Sequence, residues 1–274
     1  MITTLRHVLA TLREHRWCVA LPCDDDEMTD TLVSVTPIVL VHGAWHGAWC
    51  WAAVQAELDK RGVPSYAVDL PGHGTSDRPL GDLHGDAACV ADLIDRLATD
   101  VVLVGHSYGG AVITEAATRT QRVRHLVYLT AFVLDEGESL ASIPILAALP
   151  PQQIIGLGQA RRTLEDGAIA LDPAAAIPAL YGCCEPAVQQ ASAARLSPQP
   201  KASFAQAVTG ASWKRVPSTY VRCTEDQVIP LAHQDAMAQR CGTVLTLETD
   251  HSPAASMPAA TADILARVAR HTTR

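Results

Sequence analysis

Apolar positions along the chain fall into two rhythms that take turns. Short continuous runs, such as Pro37-Ile38-Val39-Leu40-Val41 and Val101-Val102-Leu103-Val104, have the length and β-branching of strands buried on both faces. Other segments repeat at helical spacing. Trp51, Val54 and Leu58 mark a helix within 49–60 that should stop at Gly62. Val90, Leu93, Ile94 and Leu97 share one face of a helix over 86–98, and Ile264, Leu265 and Val268 mark a closing helix over 258–271. Further strands are predicted at 65–68, 125–129, 219–222 and 244–247. Alternation of this kind predicts an α/β fold, a mostly parallel central sheet with helices on both faces.

The rhythm breaks between Asp135 and Trp213. This stretch is rich in Pro, Ala and Gln, with several short helical fragments and no clear strand. Compact domains rarely carry a structureless loop that long. The pattern therefore predicts a helical lid, about 136–213, inserted between two sheet strands. Its apolar residues Leu146, Leu149, Ile154, Ile155, Leu157, Leu180, Tyr181, Phe204 and Trp213 are candidates for a pocket wall. For any one of them, packing within the lid is the simpler expectation.

Composition narrows the function classes. Hydrophobic residues make up 48% of 274 residues and charged residues 18%, enough for a sizeable core. The net charge of -8, without a basic cluster, argues against nucleic acid as a partner. No apolar run reaches the ~20 residues of a membrane span. Eight cysteines are scattered, with no Cys-x-x-Cys pair, which suits reduced thiols in a cytoplasmic protein. Only Lys60, Lys201 and Lys214 are lysines, an arginine bias that hints at a GC-rich bacterial source. Residues 1–27 carry arginines where a signal peptide needs an apolar centre, then the acidic run Asp24-Asp25-Asp26-Glu27. They read as a loosely attached extension, with a targeting segment as the alternative, and the functional domain is expected over 28–274.

The chemistry gathers at Gly105-His106-Ser107-Tyr108-Gly109, between the strand 101–104 and the Ala-rich segment from Gly110. Strand, sharp turn and helix are the setting of a nucleophile elbow, where glycines allow a serine to project from a strained turn. A serine hydroxyl is a poor nucleophile at neutral pH and needs a base, an orienting acid and oxyanion donors. On such elbows the acid and then the base follow in the chain. Asp226 follows the strand 219–222 and His251 follows the strand 244–247, both at strand ends where α/β sites assemble. Asp135 is a second candidate acid, less favoured than Asp226. Glu225 and Asp250 read as solvated loop charges, and Asp69 and His73 as turn-shaping residues. His84, His125 and His233 have no motif around them. One oxyanion amide should come from Tyr108, the other from the glycine-bearing loop 42–49.

With these residues in place, the chain from about Thr36 onward resembles the α/β-hydrolase superfamily. Val-His-Gly-Ala-Trp-His-Gly-Ala-Trp-Cys-Trp (41–51), Gly-His-Ser-Tyr-Gly-Gly (105–110) and Cys-Thr-Glu-Asp-Gln-Val-Ile-Pro (223–230) are similar to the hydroxynitrile lyase and methyl-ester esterase branch. Bacterial carboxylesterases and pyrethroid-hydrolase-like enzymes share these signatures. The resemblance implies Ser107 as nucleophile, His251 as base, Asp226 as acid, and the amides of Ala44 and Tyr108 as the oxyanion hole. It also supports the lid.

Hydroxynitrile lyases of this type carry threonine where this chain has Gly43, and lysine where it has Ser252. That lysine stabilises the leaving cyanide, so its absence turns the expectation toward ester hydrolysis. The expected enzyme is a serine carboxylesterase for small to medium apolar esters, using no metal or organic cofactor. A C–C lyase and a receptor-like binding homologue are the alternatives. The sequence leaves the oligomeric state open.

Overall fold

The structure, a computed structural model, describes residues 35–149 and 156–272, all within one compact unit spanning Val33–Arg274. The 1–27 extension, Ile154 and Ile155 lie outside the described residues.

Six strands make the central sheet: β1 (Ile38–Val41), β2 (Ser65–Val68), β3 (Val101–His106), β4 (Val123–Leu129), and, beyond the insertion, Ser218–Cys223 and Thr243–Leu247. Every pairing in it is parallel. Because side chains alternate along a strand, each buried strand feeds two cores. Val39, Val41, Val101, Leu103, Leu126 and Tyr128 face one way, toward α2 (Leu83–Leu97) and α3 (Gly109–Ala116). Ile38, Leu40, Val102, Val104, Val127 and Leu129 face the other, toward α1 (Ala52–Lys60) and a C-terminal helix at Pro258–His271. This two-sided burial is why the strands read as unbroken apolar runs.

The predicted elements form within about three residues of the expected bounds, α2 beginning three residues early, with one refinement. The helix expected over 49–60 opens as a 3-10 turn, Ala48–Trp51, before α1 begins. Asp82 caps α2, its carboxylate accepting from the Gly85 amide at 2.8 Å.

Between β4 and the next sheet strand lie α4 (Pro144–Ala147), β5 (Arg161–Thr163), β6 (Ile169–Leu171), α5 (Pro173–Leu180), α6 (Pro186–Ala193) and α7 (Ala202–Ala205). The strands β5 and β6 pair antiparallel, so this stretch contains a hairpin where the sequence showed no strand. The sheet then resumes with β7 (Ser218–Cys223) and β8 (Thr243–Leu247), α8 (Leu231–Ala238) between them, and α9 (Pro253–Ser256) and α10 (Pro258–His271) close the fold. The strand order is β2-β1-β3-β4-β7-β8. The chain leaves β1 toward β2 and returns to β3 on the other side, so the loops after β1 and β3 part there and leave a crevice. Among the described residues, no helix is long and apolar enough to cross a membrane.

Candidate active site

Ser107 sits at that switch point, in the turn from β3 to α3, with φ +53°. An L-residue in the left-handed region is strained, and the surrounding glycines show what holds it there. A Cβ on Gly105 would stand 2.4 Å from the Gly109 carbonyl oxygen, and one on Gly109 would stand 2.8 Å from the carbonyl oxygens of Val41 and His42. Strand, elbow and helix meet too closely for side chains at either position. Gly43 is held the same way: its Cβ would meet His106 Nδ1 at 2.9 Å and Ser107 Cβ at 3.0 Å. The loop after β1 thus lies directly against the elbow.

Ala44 and Tyr108 are buried beside Ser107 in one cavity of about 320 Å³. Among the described residues, neither of their amide N–H groups meets a protein acceptor. Two unpaired donors on residues that line a serine's cavity are the kind of group a developing oxyanion requires.

The candidate acid and base are joined. His251 Nδ1 lies 2.7 Å from Asp226 Oδ2, both side chains buried. Facing a carboxylate, Nδ1 carries the proton, which leaves Nε2 as the basic nitrogen. His251 also packs against the residue preceding Ser107. His106 Nε2 donates to the His251 carbonyl at 2.6 Å, and the two rings lie 4.8 Å apart.

Asp226 has further partners. Its Oδ1 accepts from the amides of Val228 at 2.6 Å and Ile229 at 2.9 Å, and Thr130 Oγ1 donates to Oδ2 at 2.5 Å. Thr130, just after β4, is held at φ +37°, with its amide donating to the Val221 carbonyl at 2.8 Å. A β-branched residue at positive φ is a conformational outlier, and no sequence signal marked it. Asp135, the other candidate acid, instead pairs with Lys214 at 2.5 Å.

One expectation fails. Asp250 is buried rather than solvated: it accepts from the Ser252 amide at 2.9 Å, from Ser256 Oγ at 3.0 Å and from the Cys183 amide at 2.8 Å. It ties the turn carrying His251 to the segment after α5. Glu225 is exposed, as expected. Asp69 does shape turns, binding the amides of Ala48 at 2.6 Å and Thr75 at 2.9 Å.

A shell of neutral histidines surrounds the site. Burial pushes His42 down to about 3 and His46 to about 4, and His106 well below the ordinary range. Each is engaged by backbone: His42 Nδ1 with the Gly43 carbonyl at 2.8 Å, His46 Nδ1 with that of Ala44 at 2.8 Å. They brace the loop after β1.

The rest of the cavity wall comes largely from the insertion: Leu140, Leu157, Arg161, Ile169, Lys201 and Phe204. Of the apolar lid candidates, Leu157 and Phe204 reach this wall, whereas Trp213 spends its indole N–H on the Leu134 carbonyl at 2.8 Å. Trp45 links loop and insertion, donating from Nε1 to the Ile169 carbonyl at 2.8 Å and from its amide to Gln199 Oε1 at 3.2 Å. Among the described residues, no group of three or more His, Cys, Asp or Glu side chains could hold a metal ion.

Residues 38–264 match the model of the alpha/beta hydrolase family. The chain belongs to that family. Among its relatives, the alpha/beta hydrolase nvfD of Aspergillus novofumigatus is 30% identical over 250 residues, covering 85% of this chain and 95% of that protein. A carbendazim hydrolyzing esterase from Nocardioides sp. is 43% identical over 126 residues, 43% of this chain and 52% of that one. In structure, this hydrolase superposes on a crystallised pyrethroid hydrolase from Sphingobium faniae JZ-2 with a TM-score of 0.72 at 26% identity, covering 86% of this chain and 98% of that one. Plant methylesterases are also among its relatives.

Proposed function

We propose that the protein is a serine carboxylesterase that hydrolyses small to medium, largely apolar carboxylic esters. The observation that carries the reading is the pairing of His251 with Asp226 at 2.7 Å beside an elbow whose serine shares a cavity with two unpartnered amides. In this reading His251 Nε2 takes the Ser107 proton as Oγ attacks the ester carbonyl. Asp226 keeps the proton on Nδ1 and stabilises the imidazolium. The amides of Ala44 and Tyr108 hold the oxyanion. His251 then protonates the leaving alcohol, and a water it activates releases the acid and restores Ser107. No cofactor enters these steps.

Esterases among the relatives support this reading, and so does the chemistry of two positions. A threonine side chain at position 43 would crowd His106 and Ser107. Ser252 offers no positive charge for a departing cyanide. Residues 28–274 form the working domain in this reading, with about 136–213 as a lid over Ser107. The scattered thiols favour a reducing, cytoplasmic setting.

The test is a fluorophosphonate probe with p-nitrophenyl ester turnover. Labelling should require Ser107, and Asp226→Asn should lower kcat by about 10⁴-fold while Asp135→Asn leaves it unchanged. Folded protein that neither labels nor turns over esters would sink the proposal. Mandelonitrile cleavage exceeding ester hydrolysis would replace it with a lyase.

A further inference from the structure

Trp45 occupies a backbone position that its side chain does not favour. The His46 amide donates to the Gly43 carbonyl at 3.3 Å, closing a four-residue turn with Trp45 third. Trp45 has φ +66° whereas Ala44 is not at positive φ, the pattern of a type II turn, whose third place favours glycine. A bulky residue persists there only where its surroundings hold it.

The holding groups come from the segment between β4 and β7, which engages every polar atom of Trp45. The amide donates to Gln199 Oε1 at 3.2 Å, the indole donates to the Ile169 carbonyl at 2.8 Å, and the carbonyl accepts from the Ser197 amide at 2.8 Å. Gln199 is the hub of this contact. It is fully buried, and its backbone exchanges hydrogen bonds with Ile169 at 2.8 and 2.9 Å. Its Oε1 also accepts from His73 Nε2 at 3.0 Å, and its Nε2 donates to Ser203 Oγ at 3.0 Å. The Trp45 amide can only donate, which fixes the end of the Gln199 side chain that meets it. Of the consecutive amides at 44–46, those of Trp45 and His46 are used. Among the described residues, only that of Ala44 is left without a protein acceptor.

We propose that Gln199 is a positioning residue for ester hydrolysis, holding the Trp45 amide so that the strained turn keeps the Ala44 amide available to the oxyanion. The role rests on the oxyanion function proposed above for Ala44. A type II turn relaxes to type I by rotating its central peptide, here the one joining Ala44 to Trp45. Without the Gln199 acceptor that rotation relieves the positive φ at Trp45. It also reverses the Ala44 carbonyl beside the cavity and breaks its 2.8 Å bond from His46 Nδ1.

The test compares full-length parent and variants in p-nitrophenyl acetate turnover, inhibition by a trifluoromethyl ketone, and amide hydrogen exchange at Trp45. Gln199→Leu should lower kcat by about 10–100-fold with KM nearly unchanged, because oxyanion donors act on the transition state. The ketone's inhibition constant should rise by a similar factor, since its adduct on Ser107 carries the same oxyanion. Exchange at Trp45 should accelerate. Gln199→Glu keeps an acceptor toward Trp45, with Ser203 able to donate to its second oxygen, and should restore most of the lost turnover. Gln206→Leu breaks a different tie of the same segment, to Asp82 at 2.8 Å, and should leave kcat and the ketone constant unchanged. Should Gln199→Leu not fold, Ser203→Ala carries the same comparison at smaller amplitude, by freeing the Gln199 amide group.

A folded Gln199→Leu with the parent's kcat would overturn the positioning role. An equal loss in Gln206→Leu would also overturn it, by tracing the effect to general loosening of the segment. No recovery in Gln199→Glu would do the same, by removing the acceptor from the explanation. A parent that turns over no ester overturns the esterase reading and this role with it, whereas an active parent with an unaffected Gln199→Leu overturns this role alone.

Discussion

Asp86, on α2, should make this protein's stability fall as pH rises through neutrality. The side chain is buried beneath the site, and the Tyr108 hydroxyl donates to its Oδ2 at 2.7 Å. Its Oδ1 has no partner, and Gly81 packs so closely that a Cβ there would stand 2.5 Å from it. Burial, reinforced by the nearby Asp82 and only partly offset by the Tyr108 bond, raises the carboxyl from 3.8 to about 7. In the unfolded chain the proton leaves near the ordinary value, whereas the native state keeps it to about 7. Between those limits the native state binds more protons, so stability falls with rising pH. The full range corresponds to about 4 kcal/mol, of which about 3 kcal/mol is lost between pH 5 and pH 8.

Asp86→Asn keeps an acceptor for Tyr108 and cannot ionise. Its amide N–H₂ then takes the unpartnered position, at a cost of about 1–3 kcal/mol that does not vary with pH. Relative to the parent, the variant should therefore gain about 3 kcal/mol between pH 5 and pH 8. Urea unfolding followed by circular dichroism at constant ionic strength measures that double difference. Parallel stability curves, offset by a constant amount, would refute the argument and show that Asp86 titrates as an ordinary carboxyl.

Three further substitutions probe the site. Thr130→Val removes the hydroxyl that donates to Asp226 Oδ2, and should lower kcat for p-nitrophenyl acetate by about 10–100-fold with little change in KM. An unchanged kcat would reduce Thr130 to a strand-end residue. Gly43→Thr drives a side chain into His106 and Ser107, so both the melting temperature and ester turnover should drop without any mandelonitrile cleavage appearing. Asp250→Ala frees the Cys183 amide, and its hydrogen exchange should accelerate while global stability falls by about 1–3 kcal/mol; unchanged exchange would show that the tie to Asp250 does not hold this segment.

The contrast between what was legible and what was not has a physical origin. Gly105 and Gly109 exist because backbone passes within about 3 Å of where a side chain would begin, and Gly43 because the side chains of His106 and Ser107 do; such a constraint favours one residue type. The strands β1 and β3, buried on both faces, likewise leave unbroken apolar runs, whereas β7 and the largely exposed β8, which Asp226 and His251 follow, are marked by β-branched and aromatic residues instead. The β5–β6 hairpin carries no such mark. Its strands are three residues each, with Arg161, Arg162 and Thr163 all exposed, and Ile169 is fixed by exchanging backbone hydrogen bonds with Gln199. Asp250 escaped for the same reason, since its decisive partner, the Cys183 amide, lies 67 residues away. Thr130 is held at positive φ through partners far away in the chain, the Val221 carbonyl and the Asp226 carboxylate, which its local sequence does not reveal. The geometry of the elbow is imposed by close packing and is therefore written into residue types. The pocket wall is assembled by long-range docking of an insertion, where many sequences would serve, and that is why substrate choice must be read from the cavity.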